Sequence, residues 1–331
     1  MKIIVDQAIP FLEGVLEPYA EVRRLPGKSI TAEDVRDADA LIIRTRTRCD
    51  AALLEGSRVR LIATATIGFD HIDLGWCAAH GIRVATAAGC NARGVLQWIG
   101  AVLVHLSRRQ GWKPAERTLG IVGVGHVGSL VQQYAAAWGF RVLACDPPRE
   151  EREHAGFLPL EEVAREADLL TFHTPLDAST RHMADAALFR TMKPGAVVIN
   201  SSRGEVVDGE ALATSGLQWV LDVWEHEPDL DARLLDRALL ATPHIAGYSL
   251  QGKANATALS VESVSRFFDL PLQGWYPPQV TPAAPRPISW EELCRTIGTV
   301  YDIEAESRRL KARPAEFEAM RDHYSYREEY F

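Results

Sequence analysis

The stretch from residue 119 to Asp146 constrains the fold of this chain more than any other part of the sequence. An apolar run is followed by Gly123, Gly125 and Gly128 in the spacing G-x-G-x-x-G, and apolar residues then continue at helical spacing. A second apolar run ends at Asp146. The order strand, glycine turn, helix, strand and carboxylate is the context in which this glycine pattern predicts a dinucleotide-binding α/β fold.

Each of the three glycines, and the acidic residue that follows them, has its own physical role in binding a dinucleotide. Gly123 permits a tight turn, Gly125 lets the backbone approach a pyrophosphate, and Gly128 lets the helix pack closely on the strand. The helix N-terminus offers free N–H groups and a positive dipole end to phosphates. Asp146 would accept hydrogen bonds from the ribose hydroxyls and repel a 2′-phosphate, so the sequence predicts NAD rather than NADP.

Composition excludes several classes of partner. The formal net charge of −8 without a compensating basic stripe argues against nucleic acid. The five cysteines are scattered without a C-x-x-C pair, which favours reduced thiols in a cytoplasmic protein. The chain begins on an apolar strand with no signal-like segment, and no apolar run reaches membrane-spanning length. We therefore expect a soluble, cytoplasmic enzyme that acts on a small molecule.

Apolar runs of strand length alternate with helical patterns along most of the chain. This alternation predicts two doubly wound parallel-sheet (Rossmann-like) α/β domains, followed by a small α-rich C-terminal dimerisation segment. The predicted domains are a flavodoxin-like substrate domain (1–93 with 251–271), the dinucleotide domain (94–250) and the C-terminal segment (272–331). The predicted helices span 11–19, 94–109, 252–270, 290–310 and 314–330, with shorter ones beginning at Thr31 and centred on 76–80.

The C-terminal segment changes in character. It opens with proline-rich stretches at 275–278 and 282–287, and two helical patterns follow. A segment this small cannot bury much apolar surface alone, so it must pack on a partner subunit or on its own chain. We expect a homodimer.

Polar side chains follow three predicted strands of the dinucleotide domain. Arg203 lies in 200–204, Glu225 and Glu227 lie in 222–228, and His244 lies in 242–248. Ligands of parallel α/β sheets bind beyond the carboxyl ends of the strands, where these residues are expected. A guanidinium there could bind a carboxylate, and an imidazole with a carboxylate partner could move a proton. From the residues alone, Glu225 and Glu227 are equally plausible partners for His244.

The glycine fingerprint, S-R-G at 202–204, D-V-W-E-x-E-P at 222–228 and T-P-H-I-A-G at 242–247 together resemble the D-2-hydroxyacid dehydrogenase superfamily. The segments 89–92, 146–149 and 247–254 are similar to a branch whose members oxidise a phosphorylated 2-hydroxy acid. The resemblance covers roughly residues 1–270. One departure is the pair Ile67 and Phe69, which replace smaller residues around the loop glycine and could reshape that wall.

The resemblance implies a catalytic set of Arg203, Glu227 and His244. His244 would take the proton of the 2-hydroxyl as hydride leaves C2, Glu227 would orient His244 and favour its protonated form, and Arg203 would hold the carboxylate. It also implies cofactor contacts from Gly123, Gly125, His126, Val127, Gly128, Asp146, Thr174, Asp222 and Gly247, and substrate contacts from Thr45, Thr66 and Tyr248. The substrate phosphate could be bound by Arg44, Arg46, Arg48 or Lys253.

No metal site is expected, because His71 and Asp73 have no third ligand at a suitable spacing. Two rival functions stay open at this stage. One is a dehydrogenase of the same superfamily that acts on glycerate, lactate or phosphoglycerate. The other is a non-catalytic NAD-sensing regulator, like the corepressor members of the superfamily.

Overall fold

All eleven strands of the protein run parallel and form two separate sheets. The computed structural model describes residues 1–331 throughout. The strands are β1 (Lys2–Asp6), β2 (Glu21–Leu25), β3 (Ala40–Ile43), β4 (Leu61–Thr64), β5 (Arg83–Thr86), β6 (Thr118–Val122), β7 (Arg141–Cys145), β8 (Leu169–Phe172), β9 (Val197–Asn200), β10 (Gln218–Leu221) and β11 (Leu240–Ala241). Each lies on an apolar run that the sequence predicts as a strand.

Helices lie between all consecutive strands except β1 and β2, which are joined by turns, and further helices follow β11. They are α1 (Ala32–Val35), α2 (Ala51–Leu54), α3 (Leu74–Ala79), α4 (Ala92–Gln110), α5 (His126–Trp138), α6 (Pro147–Glu153), α7 (Leu160–Glu166), α8 (Ala186–Thr191), α9 (Gly209–Thr214), α10 (Ala232–Arg237), α11 (Leu250–Phe268), α12 (Trp290–Val300), α13 (Ile303–Ala312) and α14 (Phe317–Asp322). None of them combines the length and the apolar character that crossing a membrane requires.

The first unit comprises Met1–Asn91 and Leu250–Pro282. Its five-stranded sheet has the order β2-β1-β3-β4-β5, so the strand order reverses between β1 and β3. Strands β3 and β4 are buried along their whole length, with one apolar core on each face of the sheet. Helix α11 belongs to this unit and packs its buried residues Val261 and Val264 into one of these cores.

The second unit comprises Ala92–Ser249 and Ala283–Phe331. Its six-stranded sheet has the order β11-β10-β9-β8-β6-β7, so the order reverses between β6 and β8. Apolar cores cover both faces here as well. The doubly wound α/β architecture predicted from the alternating pattern is therefore confirmed, and the glycine turn after β6 lies at the reversal point, where such sheets bind ligands.

The C-terminal helices pack against the second unit of their own chain. Leu293 and Ile297 of α12 join the core that contains α4, and Leu310, Phe317 and Met320 join the core on the other face. Residues 283–331 thus share the apolar cores of the unit that carries the glycine turn.

Three helix predictions need correction. No helix forms over 11–19, where the chain makes successive turns and both Phe11 and Gly14 have positive φ. Pro18, which lies inside this stretch and has no backbone N–H, further disfavours a helix. The pattern at 290–310 divides into α12 and α13, because Asp302 caps a new helix by accepting a hydrogen bond from Ala305 N. The pattern at 314–330 gives a 3₁₀ turn over Pro314–Glu316 and the short α14, and the chain after α14 forms no further helix.

Candidate active site

The carboxyl ends of all six strands of the second unit carry predicted site residues, with Asp146 after the edge strand β7. In sheet order, the glycine turn follows β6, Thr174 follows β8 and Arg203 follows β9. Asp222 and Glu227 follow β10, and His244 follows β11. Because adjacent strands of a sheet lie about 4.8 Å apart, the fold brings to one sheet edge residues that are widely separated in sequence.

The glycine turn has the geometry that a dinucleotide requires. Gly123 has φ +85°, which L-residues with side chains rarely adopt, and a Cβ on Gly128 would lie 2.0 Å from the carbonyl oxygen of Gly123. A Cβ on Gly125 would instead project into open space. Gly125 is therefore not required by the packing of the protein itself, and its lack of a side chain leaves room for a ligand at the N-terminus of α5. No side chain caps that terminus, so its N–H groups can bind a phosphate.

Asp146 supports the same turn from the end of β7. One carboxylate oxygen accepts a hydrogen bond from Val124 N at 2.7 Å, and the other accepts from Arg149 N at 3.0 Å at the start of α6. Arg149 in turn donates to the carbonyl oxygen of Val124. The acidic residue is thus tied directly to the glycine turn, and these residues fit an adenosine ribose at that edge of the sheet.

His244 and Glu227 form a hydrogen-bonded pair. The Nδ1 atom of His244 lies 2.8 Å from Oε2 of Glu227, and the other oxygen of Glu227 accepts from Trp224 N at 2.9 Å. Burial alone would raise the pKa of Glu227, but the charge and hydrogen bond of His244, together with the nearby Arg321, lower it overall. Glu227 is therefore a carboxylate at neutral pH and accepts from Nδ1–H, which leaves Nε2 of His244 as a proton acceptor.

The structure also decides between the two glutamates that the sequence leaves open. Glu225 is occupied elsewhere, because one of its oxygens lies 2.5 Å from Nε2 of His182 and the other accepts from Gly209 N. Glu227 is the residue that reaches His244. The sequence alone could not show this, since the position of His182 depends on the tertiary fold.

Asp222 has a structural role that the sequence does not indicate. It is 1% exposed, and its two oxygens accept hydrogen bonds from Thr242 Oγ1, Ile245 N and Ala246 N at 2.6–2.9 Å. Burial raises its pKa. The backbone of His244 has φ +57°, a left-handed conformation that needs support from its surroundings. Asp222 supplies that support by holding the loop on both sides of His244.

Arg203 begins the turn after β9 and is held by short-range contacts. Its carbonyl oxygen accepts from Asn200 Nδ2 and its Nη1 donates to the carbonyl oxygen of Ser202, each at 2.8 Å. The next residue, Gly204, packs directly on the backbone after β10, where a Cβ would lie 2.1 Å from the carbonyl carbon of Trp224. This close approach places the turn of Arg203 against the segment that leads to Glu227.

Tyr248 lies four residues after His244 and belongs to a cluster of tyrosines. Its ring packs edge-on against Tyr324 and Tyr326, with centroids 5.9 and 6.3 Å apart. The carbonyl oxygen of Tyr248 also accepts from the buried Arg327. The C-terminal segment therefore packs directly on the loop that carries His244.

In the first unit, Thr45 and Thr66 follow the adjacent strands β3 and β4. Thr45 is exposed, while the hydroxyl of Thr66 lies 2.6 Å from that of Thr64 and donates to the carbonyl oxygen of Gly68. Both threonines therefore lie at the carboxyl edge of their sheet.

The candidate phosphate-binding arginines beside Thr45 differ in environment. Arg44 is paired with the fully buried Asp6, its Nε 2.9 Å from the carboxylate. Arg48 is 83% exposed and paired with Asp50. Arg44 is thus held in one position by a buried carboxylate, whereas Arg48 faces solvent.

Comparison with known proteins identifies the class to which a site of this geometry belongs. The family model for the NAD binding domain of D-isomer specific 2-hydroxyacid dehydrogenases matches residues 94–246. A crystal structure of D-lactate dehydrogenase from Aquifex aeolicus, complexed with NAD and lactic acid, superposes with a TM-score of 0.69 at 25% identity, covering 81% of this chain and 96% of that one. The class is thus that of the NAD-dependent 2-hydroxyacid dehydrogenases, and NAD is the cofactor.

Two relatives identify the family within this class of dehydrogenases. The chain is 47% identical to erythronate-4-phosphate dehydrogenase of Bacteroides fragilis, over 99% of this chain and 97% of the relative. It is 43% identical to erythronate-4-phosphate dehydrogenase of Ectopseudomonas mendocina, over 99% of this chain and 93% of the relative. The chain belongs to the erythronate-4-phosphate dehydrogenase family, which confirms the resemblance seen in its motifs.

Proposed function

We propose that the protein oxidises 4-phospho-D-erythronate at C2 to (R)-3-hydroxy-2-oxo-4-phosphooxybutanoate, a step in pyridoxal phosphate biosynthesis. The observation that carries this proposal is the His244–Glu227 pair at the carboxyl edge of an NAD-binding sheet. Relatives that match over nearly the whole chain and are named for this activity support the choice of substrate.

In the proposed reaction His244 acts as the general base. Its Nε2 accepts the proton of the 2-hydroxyl while the C2–H bond breaks, and the resulting imidazolium is stabilised by the Glu227 carboxylate on Nδ1. NAD, when bound, supplies the acceptor for the hydride. Burial of Glu227, whose side chain is 18% exposed, strengthens its interaction with the imidazolium.

Arg203 is the proposed substrate clamp. Its planar guanidinium can bind the substrate carboxylate with two parallel hydrogen bonds and polarise the oxygen on C2 as it becomes a carbonyl. The close packing of Gly204 on the backbone after β10 supports this assignment, because it fixes the main chain beside Arg203 next to the segment that leads to Glu227.

The remaining site residues are proposed because they match the motifs of the family to which the chain belongs. Cofactor contacts are assigned to Gly123, Gly125, His126, Val127, Gly128, Asp146, Thr174, Asp222 and Gly247, and substrate contacts to Thr45, Thr66 and Tyr248. For Asp222 the nicotinamide carboxamide is a compatible donor, because its Oδ2 accepts one hydrogen bond in the protein and has capacity for a second.

A comparison of hydroxy acids tests the substrate. NADH formation is followed at 340 nm in the first turnover, so that exchange of the cofactor does not limit the rate. We expect kcat/KM for 4-phospho-D-erythronate to exceed that for D-erythronate by at least about 10²-fold, because a phosphate that binds an arginine contributes charge-assisted hydrogen bonds. D-glycerate, D-lactate and 3-phospho-D-glycerate complete the series.

Two outcomes would contradict the proposal. Faster oxidation of D-lactate or D-glycerate would assign the protein to another activity of the same superfamily. Binding of NAD without reduction by any of the acids would favour the non-catalytic regulator.

We further propose that the protein is a cytoplasmic homodimer in which residues 272–331 contribute to the interface. None of the five cysteines forms a disulfide and four of them are buried, which suits a reducing compartment. The C-terminal segment leaves Val300 and Tyr326 exposed while packing on its own chain. Sedimentation equilibrium should give twice the chain mass of 36.6 kDa. A deletion within residues 272–331 should lower the measured mass towards that of one chain. A monomer at micromolar concentration would contradict the dimer.

A further inference from the structure

The C-terminal segment places an arginine beside the proposed catalytic pair. Arg321 lies on α14, a helix that Phe317 and Met320 anchor in the apolar core of the second unit. The Arg321 side chain is 17% exposed, and its guanidinium lies over the Phe317 ring, 5.6 Å from the centroid. Its position is therefore fixed by packing and does not depend on a flexible surface side chain.

Arg321 and His244 share one carboxylate oxygen. The Nη1 atom of Arg321 lies 3.6 Å from Oε2 of Glu227, the same atom that lies 2.8 Å from Nδ1 of His244. The buried Asp222 at the end of β10 also interacts electrostatically with His244. Two groups that can be cationic, Arg321 and His244, are thus held by the anionic Glu227, and only one of them can lose its charge near neutral pH.

This arrangement has a definite electrostatic consequence. A permanent positive charge beside Glu227 keeps that carboxylate ionised and in place. The same charge repels a proton on His244, because like charges a few ångströms apart destabilise each other. Loss of the Arg321 charge should therefore favour a proton on His244, and its presence disfavours one.

We propose that Arg321 is a positioning residue of the active site, which holds Glu227 for His244 and opposes protonation of that imidazole. The proposal rests on the proposed function of His244 and Glu227 and adds to it a residue from the C-terminal segment. It gives that segment a role in catalysis apart from any role in dimer formation.

The test compares Arg321→Met with Arg321→Lys, with Arg313→Met as the matched control. Arg313 lies in the same segment and makes an exposed ion pair with Glu316, so its loss changes the net charge equally without touching Glu227. For Arg321→Met we expect the acid limb of the kcat profile to move up by about one pH unit, which gives about a 10-fold loss on that limb. On the alkaline plateau kcat should stay within about two-fold of the wild type. Arg321→Lys and Arg313→Met should keep the wild-type profile.

A purely structural role predicts a different result. It would lower kcat by the same factor at every pH, or lower the melting temperature, without moving the acid limb, and either pattern alone would overturn the proposal. If Arg321→Met does not fold, Arg321→Gln, which keeps hydrogen-bonding capacity, replaces it with the same expected shift.

A second readout separates this proposal from the choice of substrate. In the NAD-loaded, histidine-labelled protein, the NMR titration of His244 is identified by its absence from the His244→Asn spectrum. Its midpoint should move up by about one pH unit in Arg321→Met, whichever acid the enzyme oxidises. An unchanged midpoint overturns the role of Arg321, whereas a shifted midpoint with an inactive wild type overturns only the proposed substrate.

Discussion

Replacing His244 with asparagine should lower kcat for hydroxy-acid oxidation by about 10³-fold, because the general base is lost while the rest of the site remains. Asparagine suits this position, since it tolerates the left-handed backbone of residue 244 better than most residues. NAD should bind with nearly unchanged affinity, measured by titration calorimetry, because the glycine turn follows β6 whereas His244 follows β11, and asparagine preserves the loop that carries Gly247.

His182 provides the matched control for that variant. It also has a positive φ and also pairs with a glutamate, Glu225, in the same unit. His182→Asn should therefore remove a similar ion pair and leave kcat within about three-fold of the wild type. Equal losses in the two variants would mean that the effect of His244→Asn is structural and would remove the basis for assigning the base.

Replacing Arg203 with lysine should lower kcat/KM by about 10²- to 10³-fold in spite of the retained charge. Lysine cannot present two parallel donors to a carboxylate, nor keep one on the developing carbonyl. Both KM and kcat should change, because the guanidinium is proposed to act on the bound substrate and on the reacting oxygen.

The control for this variant is Arg237→Lys. The guanidinium of Arg237 lies over Trp219 and donates to the carbonyl oxygen of Ala213, at a distance from the sheet edge that carries the site. Steady-state kinetics should show little change for Arg237→Lys. A comparable loss there, or activity of Arg203→Lys within about three-fold of the wild type, would contradict the clamp.

Much of the fold and the candidate site follows from local patterns. The apolar runs locate the parallel strands. Because Arg203, Glu227 and His244 follow the carboxyl ends of such strands, where ligands of these sheets bind, the sequence predicts that all three lie at the same edge of the sheet. The helix predicted to begin at Thr31 is confirmed as well, because Thr31 caps α1 in a capping box in which Asp34 takes the place where glutamate is usual.

What the sequence could not predict depends on contacts between distant parts of the chain. The sequence does not distinguish Glu225 from Glu227 as the partner of His244. The structure does, because Glu225 pairs with His182. The support that Asp222 gives to the His244 loop requires that loop to turn back over the end of β10. Arg321 is 94 positions from Glu227 and lies on a short helix, so no periodicity or spacing indicates their contact.

The most direct test of the account follows the hydrogen on C2. With 4-phospho-D-erythronate deuterated at C2, mass spectrometry of the products should find the deuterium on the nicotinamide ring of the reduced cofactor, and the His244→Asn variant should form this product at a strongly reduced rate. Deuterium that stays in the acid or is released to water would contradict hydride transfer from C2, and with it the site described for Arg203, Glu227 and His244.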